Sequence, residues 1–374
     1  MTKAAELAKM GEVLTNSQIG GRRNIVINGA MQVAQRGTSS TSTGFQTCDR
    51  IQFLTNNTDN FAFTVSQSST APDGFSTSQK LDCTTAESSL DADELARFLY
   101  KVEGQDIQHF NYGSSASEEV TVSFYVRSNV TGVYTVEFRL NAAGTSTITK
   151  QYTISSANTW ERKILKLPTN TATSVDNDNT NGIELSFCVA AGSNFTTGSL
   201  GTSWATTATS SRYAGQAANI MASTDNEWYI TGIQMELGSQ ATPFEHRSFG
   251  EELLLCQRYA IVYSKNGQPN MGQKAIGTGA STNSSGAYQA FIFPQVTMRA
   301  VPTLTVGGSV SDYEILKYET GFVDLNSSIS LYSASGRSLF VLAISSATAE
   351  AERGRDVIMR LEGDNSSLLF DSEL

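Results

Sequence analysis

Histidine is the first scarcity: the 374-residue chain holds only two, His109 and His246. That excludes metal sites built on several imidazoles and weakens any Ser-His-Asp or Cys-His chemistry. The nucleophile-elbow, zincin, dinucleotide-fingerprint and P-loop patterns are missing as well. Cysteine is equally thin. Residues 48, 83, 188 and 256 are too scattered for a disulfide framework or a paired-cysteine metal site, so folding in a reducing compartment is expected. No stretch approaches the ~20 apolar residues of a membrane span, and no membrane insertion is expected. The opening MTKAAELAKMGEVL carries Glu6 and Glu12 and does not read as a secretory signal. Charge is low, at 17% of residues, and its balance of 26 Lys+Arg against 36 Asp+Glu gives −10. Without a basic block the chain cannot neutralise a run of phosphates, so nucleic acid is not an expected partner. No cofactor and no enzymatic activity are expected.

What is abundant is hydroxyl: 46 Ser and 41 Thr, which favour strands and turns. From Asn24 to Leu237 the dominant pattern is period-two alternation. Val120, Val122, Phe124 and Val126 share one face, with Thr121, Ser123 and Tyr125 on the other. Tyr134, Val136, Phe138 and Leu140 repeat the pattern, as do Ile183, Leu185, Phe187 and Val189. Tyr229, Thr231, Ile233, Met235 and Leu237 are read as a further face. Half-buried antiparallel strands align such sets, whereas a helix would scatter them. A short helix is expected near Leu90–Leu99.

The fold class is all-β, in four parts. Residues 1–23 form an N-terminal attachment segment, with Leu7, Met10 and Leu14 on one helical face. Residues 24–247 form a jelly-roll β-sandwich. Residues 248–263 form a short linking helix opened by the capping box Ser248–Glu251. Residues 264–374 form a second, smaller β-sandwich, whose first part, 264–288, is Gly/Ser/Asn-rich and expected to be a long loop.

Several stretches resemble one family together: NIVINGAMQVAQRG, EGQDIQHFNYG and above all YITGIQMELGSQATPFEHRSFGEELLLCQRY. They are similar to bacteriophage virion proteins of the tail-fibre kind that carry a carbohydrate-binding-module-like jelly roll. The resemblance covers roughly residues 22–263. It implies a structural role on the virion exterior, most directly as a tail fibre or appendage for host attachment, made in the host cytoplasm. Its implied partners are other copies of the chain in a homotrimer, tail or capsid proteins reached through the N-terminal segment, and a host-surface glycan. A capsid decoration or head-fibre protein is the alternative, with a polysaccharide-degrading tail spike behind it.

Glycan binding needs flat apolar faces flanked by amides and charges. The stretch 192–219 concentrates these, and Trp204, Tyr213, Arg212 and Asn219 are the candidate contacts. Leu7, Met10 and Leu14 are the candidate anchoring residues. The Asp/Asn run 174–181 offers calcium-type oxygens but lacks the EF-hand glycine and distal glutamate. Trp160 reads as core or sheet-edge packing. In ATPFEHRS, Phe244 reads as a core plug, with Glu245, His246 and Arg247 pairing locally. Cys48 reads as a buried small hydrophobe, and Asp49 with Arg50 as an ion pair or backbone clamp.

Overall fold

The computed structural model describes residues 3, 23–57, 60–140, 146–265, 274–281, 287–317, 321–325, 328–332, 336–345 and 356–374. The anchoring candidates Leu7, Met10 and Leu14 lie outside the described residues. The chain divides into two compact units, Met1–Glu252 with Leu374, and Leu253–Glu373.

The first unit has two six-stranded sheets. Sheet A takes the order β1-β3-β4-β12-β6-β9, from β1 (Ser39–Ser40), β3 (Ala62–Ser68), β4 (Ser78–Thr85), β6 (Val120–Ser128), β9 (Glu161–Leu167) and β12 (Glu227–Leu237). Sheet B runs β11-β8-β7-β10-β5-β2, from β2 (Ile51–Asn56), β5 (Leu95–Glu103), β7 (Gly132–Leu140), β8 (Ser146–Ile154), β10 (Asn181–Ala191) and β11 (Ala205–Thr206). All pairings are antiparallel. Alternation explains the core. Val120, Val122, Phe124 and Val126 turn inward from sheet A, and Tyr134, Val136, Phe138, Ile183, Leu185 and Phe187 from sheet B. The faces interlock through ring contacts: Phe124 meets Phe187 edge-on at 5.2 Å, and Phe98 stacks on Trp228 at 5.3 Å.

Two sequence expectations fail here. Leu90–Leu99 is not a helix: residues 91–94 form a turn, and β5 starts at Leu95 because its apolar residues pair with β2 and β10. The single face read into β12 is also wrong. Trp228 and Ile230 are inward with Ile233 and Met235, while Tyr229 and Thr231 lie on the opposite face. A register shift between Thr231 and Gln234, with Gly232 at φ +63°, exchanges odd and even positions.

Helix α1 (Phe249–Gln257) follows. Its capping box forms: Ser248 Oγ accepts from Glu251 N at 3.3 Å and Glu251 Oε2 accepts from Ser248 N at 3.0 Å. The second unit is also all-β. A three-stranded sheet, β13-β22-β16, uses β13 (Ala260–Ser264), β16 (Thr303–Gly307) and β22 (Ser367–Asp371). A seven-stranded sheet, β18-β17-β21-β14-β15-β20-β19, uses β14 (Lys274–Ser281), β15 (Ala287–Ile292), β17 (Tyr313–Lys317), β18 (Gly321–Asp324), β19 (Ile329–Leu331), β20 (Phe340–Ser345) and β21 (Asp356–Leu361). β14 lies inside the stretch read as a loop. Its glycines hide the strand from propensity, yet Gly279 is required there, since a Cβ would sit 1.7 Å from Gln289 O.

Candidate functional site

The excursion 192–219 leaves β10 and folds back on the outer face of sheet B, and its side chains are largely spent on holding it there. Arg212 meets the buried Glu137 in a two-pronged contact, Nε to Oε1 at 3.0 Å and Nη2 to Oε2 at 2.8 Å. Tyr213 is fully buried; its hydroxyl lies 2.6 Å from Ser186 Oγ and accepts from Arg97 Nη1 at 3.1 Å. Gln216 Oε1 accepts from Thr135 N and Oγ1, at 2.7 and 2.9 Å. Asn219 caps the turn at Ile220, its Oδ1 accepting from Met221 N at 2.9 Å, while its Nδ2 donates to Glu87 O. Trp204 is half-buried against the core, edge-on to Tyr112 at 5.7 Å, with its indole N–H on Pro168 O at 2.9 Å. The four glycan candidates therefore share a segment but not a surface: Tyr213 is buried, while Trp204, Arg212 and Asn219 each keep part of theirs.

A different set of aromatics gathers on the outer face of sheet A. Phe75 sits at its centre, with ring centroids 5.3 Å from Tyr125, 5.0 Å from Phe244 and 5.1 Å from His246. Phe244 and His246 are 4.8 Å apart. Phe75, Tyr125 and Phe244 are half-buried and His246 is exposed, so the cluster is a ledge open to solvent.

Local chemistry places each ring. Phe75 follows Pro72-Asp73-Gly74 in a β-turn closed by Phe75 N on Pro72 O at 3.1 Å, with Gly74 at φ +89° as a type II turn requires. Tyr125 stands on the outer face of β6, opposite Thr231. Gly232 provides the seat: a Cβ there would lie 2.7 Å from Phe75 Cζ and 2.9 Å from Tyr125 Cδ2. Phe244 and His246 come from an extended segment in which the intervening Glu245 turns the other way, its N–H on Gln234 Oε1 at 2.8 Å. The core-plug reading of Phe244 is thus corrected: it is half-buried against Phe75 and His246 and takes no part in the sandwich core. Arg247 does pair locally, with Glu252 at 3.2 Å, but it and Glu245 also reach back to the segment at Asn24.

Two residues along the strands, Tyr229 faces Arg127 on β6. Trp160 packs edge-on to Tyr229 at 6.1 Å, and the cations of Arg127 and Lys80 lie 4.9 and 5.4 Å from its ring centroid. The Tyr229 hydroxyl donates to Glu227; burial first, then that carboxylate, raises its pKa. The face thus combines apolar rings with Lys80, Asp82, Arg127 and Glu227 at one edge. Sequence reading missed the ledge because its rings come from residues 75, 125, 244 and 246. The available signal was Tyr125, a large ring on the polar face of an alternating strand.

The remaining candidates are framework. Asp178 Oδ1 accepts from Thr180 N and Oγ1, at 2.9 and 2.7 Å, closing a local turn in the Asp/Asn run. Asp49 accepts from Gln35 N and Nε2, and Arg50 Nη2 clamps Lys101 O at 2.7 Å. All four cysteines are free and buried, and burial pushes the Cys48 and Cys188 thiols up. Among the described residues, Glu314, Asp324 and Glu362 bring carboxylate oxygens within 4.8 Å of one another, but Glu314 is already paired with Arg360.

No family model matches the chain, and no curated protein matches it. Solved structures do, at low identity. The chain is 12% identical to the enzymatically active domain of tailspike protein 4 of bacteriophage CBA120, with a TM-score of 0.31, over 57% of this chain and 21% of that one. It spans about a fifth of the length of that solved domain. It is 9% identical to the family 11 carbohydrate-binding module of the cellulase Lic26A-Cel5E of Clostridium thermocellum, with a TM-score of 0.28, over 56% of this chain and 98% of the module. For TmCBM61, solved with β-1,4-galactotriose, the figures are 11%, 0.26, 58% and 99%.

Proposed function

We propose that the chain is a carbohydrate-binding structural protein of a phage exterior, a tail fibre or appendage subunit that meets the host surface through the outer face of sheet A. The observation that carries the glycan part is the ledge of Phe75, Tyr125, Phe244 and His246. Aromatic rings with solvent-facing surface, seated on a sheet by a glycine, match the apolar face of a pyranose, and the adjacent charged edge can reach its hydroxyls. The virion part is supported by the motif resemblance over residues 22–263. In this reading Leu7, Met10 and Leu14 dock the chain on the particle, and three copies act together so that shallow sites gain avidity. Trp204, half-buried on the excursion, is a second and lesser contact, while the buried Tyr213 serves only to hold the excursion in place.

The test is adsorption to host cells, together with titration of purified host surface polysaccharide. Phe75→Ala and Phe244→Ala should each weaken both by about tenfold while costing the first unit no more than about 1–2 kcal/mol, so that it stays folded. Trp204→Ala should have a smaller effect. Unchanged binding in all three, with intact folds, defeats the glycan reading. Locating the chain in a map of the whole particle tests its place there.

A further inference from the structure

Glu94 ends the turn before β5 and is 1% exposed. Its Oε2 accepts from Asp91 N at 2.7 Å, but its Oε1 is buried with no hydrogen-bond partner. Glu87 approaches from the other arm of the turn, within hydrogen-bonding reach of Glu94. Its Oε1 accepts from Asn60 Nδ2 at 3.1 Å, and its Oε2 is likewise buried and unpartnered. Two carboxyl groups thus face each other, each with one satisfied oxygen and one orphan.

Among the described residues, no cation pairs with either carboxyl. The charged groups that bear on Glu94 are Glu87 and Asp91, both acidic. Asp93 is engaged by Asn57 Nδ2 at 2.7 Å. The segments packed against the turn contribute neutral groups: Gly192 N donates to Glu94 O at 2.8 Å, Asn194 N to Ala92 O at 2.8 Å, and Asn219 Nδ2 to Glu87 O at 3.2 Å. Two ionised carboxylates in contact, each with a buried unpartnered oxygen, would repel each other. One proton between them turns two orphan acceptors into a charge-assisted donor–acceptor pair.

We propose that Glu87 and Glu94 share one proton, and that the turn they close is a pH-sensitive clasp on both ends of the 192–219 excursion. The excursion starts on Glu94 O and Ala92 O and ends on Glu87 O, so both of its ends hang on the backbone of the turn that the pair closes between β4 and β5. Burial, and then the neighbouring carboxyls, raise the proton affinity of Glu94. The folded chain therefore retains a proton that the unfolded chain releases near the ordinary glutamate value of about 4.3. The clasp is fully closed below that value and loosens as pH rises through the raised one.

The experiment follows the unfolding midpoint of the first unit by tryptophan fluorescence between pH 5 and 8, and hydrogen exchange at the Gly192 and Asn194 amides. Exchange is corrected for its intrinsic pH dependence. In the wild type the midpoint should fall with pH and corrected exchange should rise about tenfold. Glu94→Gln, which carries its own donor, should flatten both slopes, and Glu87→Gln carries the same expectation if Glu94→Gln fails to fold. Slopes that persist unchanged in the folded variant overturn the proposal. So does a wild-type midpoint at pH 7 that drops on adding a chelator, since a metal ion would then be holding the pair.

Discussion

The Glu245 carboxylate accepts a 2.6 Å hydrogen bond from the backbone N–H of Asn24, across 221 residues of sequence. Around this bond the two ends of the first sandwich are stitched together. The Asn24 side chain donates to Ile233 O at 3.1 Å and accepts from Val26 N and Met235 N, at 3.0 and 3.1 Å. Arg247 donates to Val26 O at 3.1 Å and also to Asn24 O. The motifs NIVINGAMQ and ATPFEHRS are therefore two halves of one latch. Because the same ATPFEHRS segment carries Phe244 and His246, the latch also fixes where the aromatic ledge stands.

Asn24→Ala removes one donor and one two-fold acceptor from a site with no water access. It leaves Ile233 O, Val26 N and Met235 N unpaired, each a penalty of about 1–3 kcal/mol when buried. These penalties are not additive, and a total loss of about 3 kcal/mol is expected. Glu245→Gln keeps an acceptor for Asn24 N and should cost under about 1 kcal/mol. All three tryptophans, Trp160, Trp204 and Trp228, lie in the first unit, so urea titration followed by tryptophan fluorescence reads that unit alone. Equal losses in the two variants would mean that the latch depends on the charge of Glu245.

Gly232→Ala tests the seat of the ledge. The residue is at φ +63°, where an L side chain costs about 1–2 kcal/mol, and its Cβ would push into Phe75 and Tyr125. Stability should drop by at least that amount, and polysaccharide binding should fall further than the stability loss explains, because both rings must move. A variant that loses stability but binds normally would separate the ledge from binding.

The strands were legible where burial alone decides, as in Val120–Val126 and Ile183–Val189, since a half-buried sheet writes its own period into the chain. The reading broke where backbone geometry intervenes. At Gly232 one bulge exchanged the faces of β12, and at Gly277 and Gly279 the absence of side chains erased the pattern of β14. It also broke where partners are distant. Arg212 and Tyr213 read as a polar loop's free groups because nothing near them in sequence announces Glu137 or Ser186 across the sheet. Phe75 and Phe244 gave no local sign of each other, being 169 positions apart in sequence and 5.0 Å apart in space.

Arg212→Ala should unfasten the excursion. It leaves the 1%-exposed Glu137 carboxylate without its guanidinium, and breaking a buried pair from one side typically costs about 3–5 kcal/mol. The double variant Arg212→Met with Glu137→Gln should recover more than half of that loss, as no buried charge remains. Urea midpoints of Arg212→Met, Glu137→Gln and their double variant, combined in a double-mutant cycle, give the coupling directly. A single variant within about 1 kcal/mol of wild type would mean the excursion is held by its backbone contacts alone.

Tyr213 gives the alkaline limit of the same excursion. Burial first, and then Glu137, push its hydroxyl up to about 12, with Arg97 and Arg212 opposing. The folded chain keeps the phenol proton where the unfolded chain, with an ordinary tyrosine near 10, releases it. The contribution is thus whole below about pH 10 and is lost as pH climbs towards 12. Tyr213→Phe forfeits the bonds to Ser186 and Arg97 and should be less stable at pH 7 by about 1–2 kcal/mol. It has no proton to lose, so the gap to wild type should narrow from pH 9 to 11. Urea midpoints at pH 7, 9 and 11 measure it. A gap that stays constant would mean that solvent reaches the hydroxyl and that the excursion opens before the sandwich unfolds.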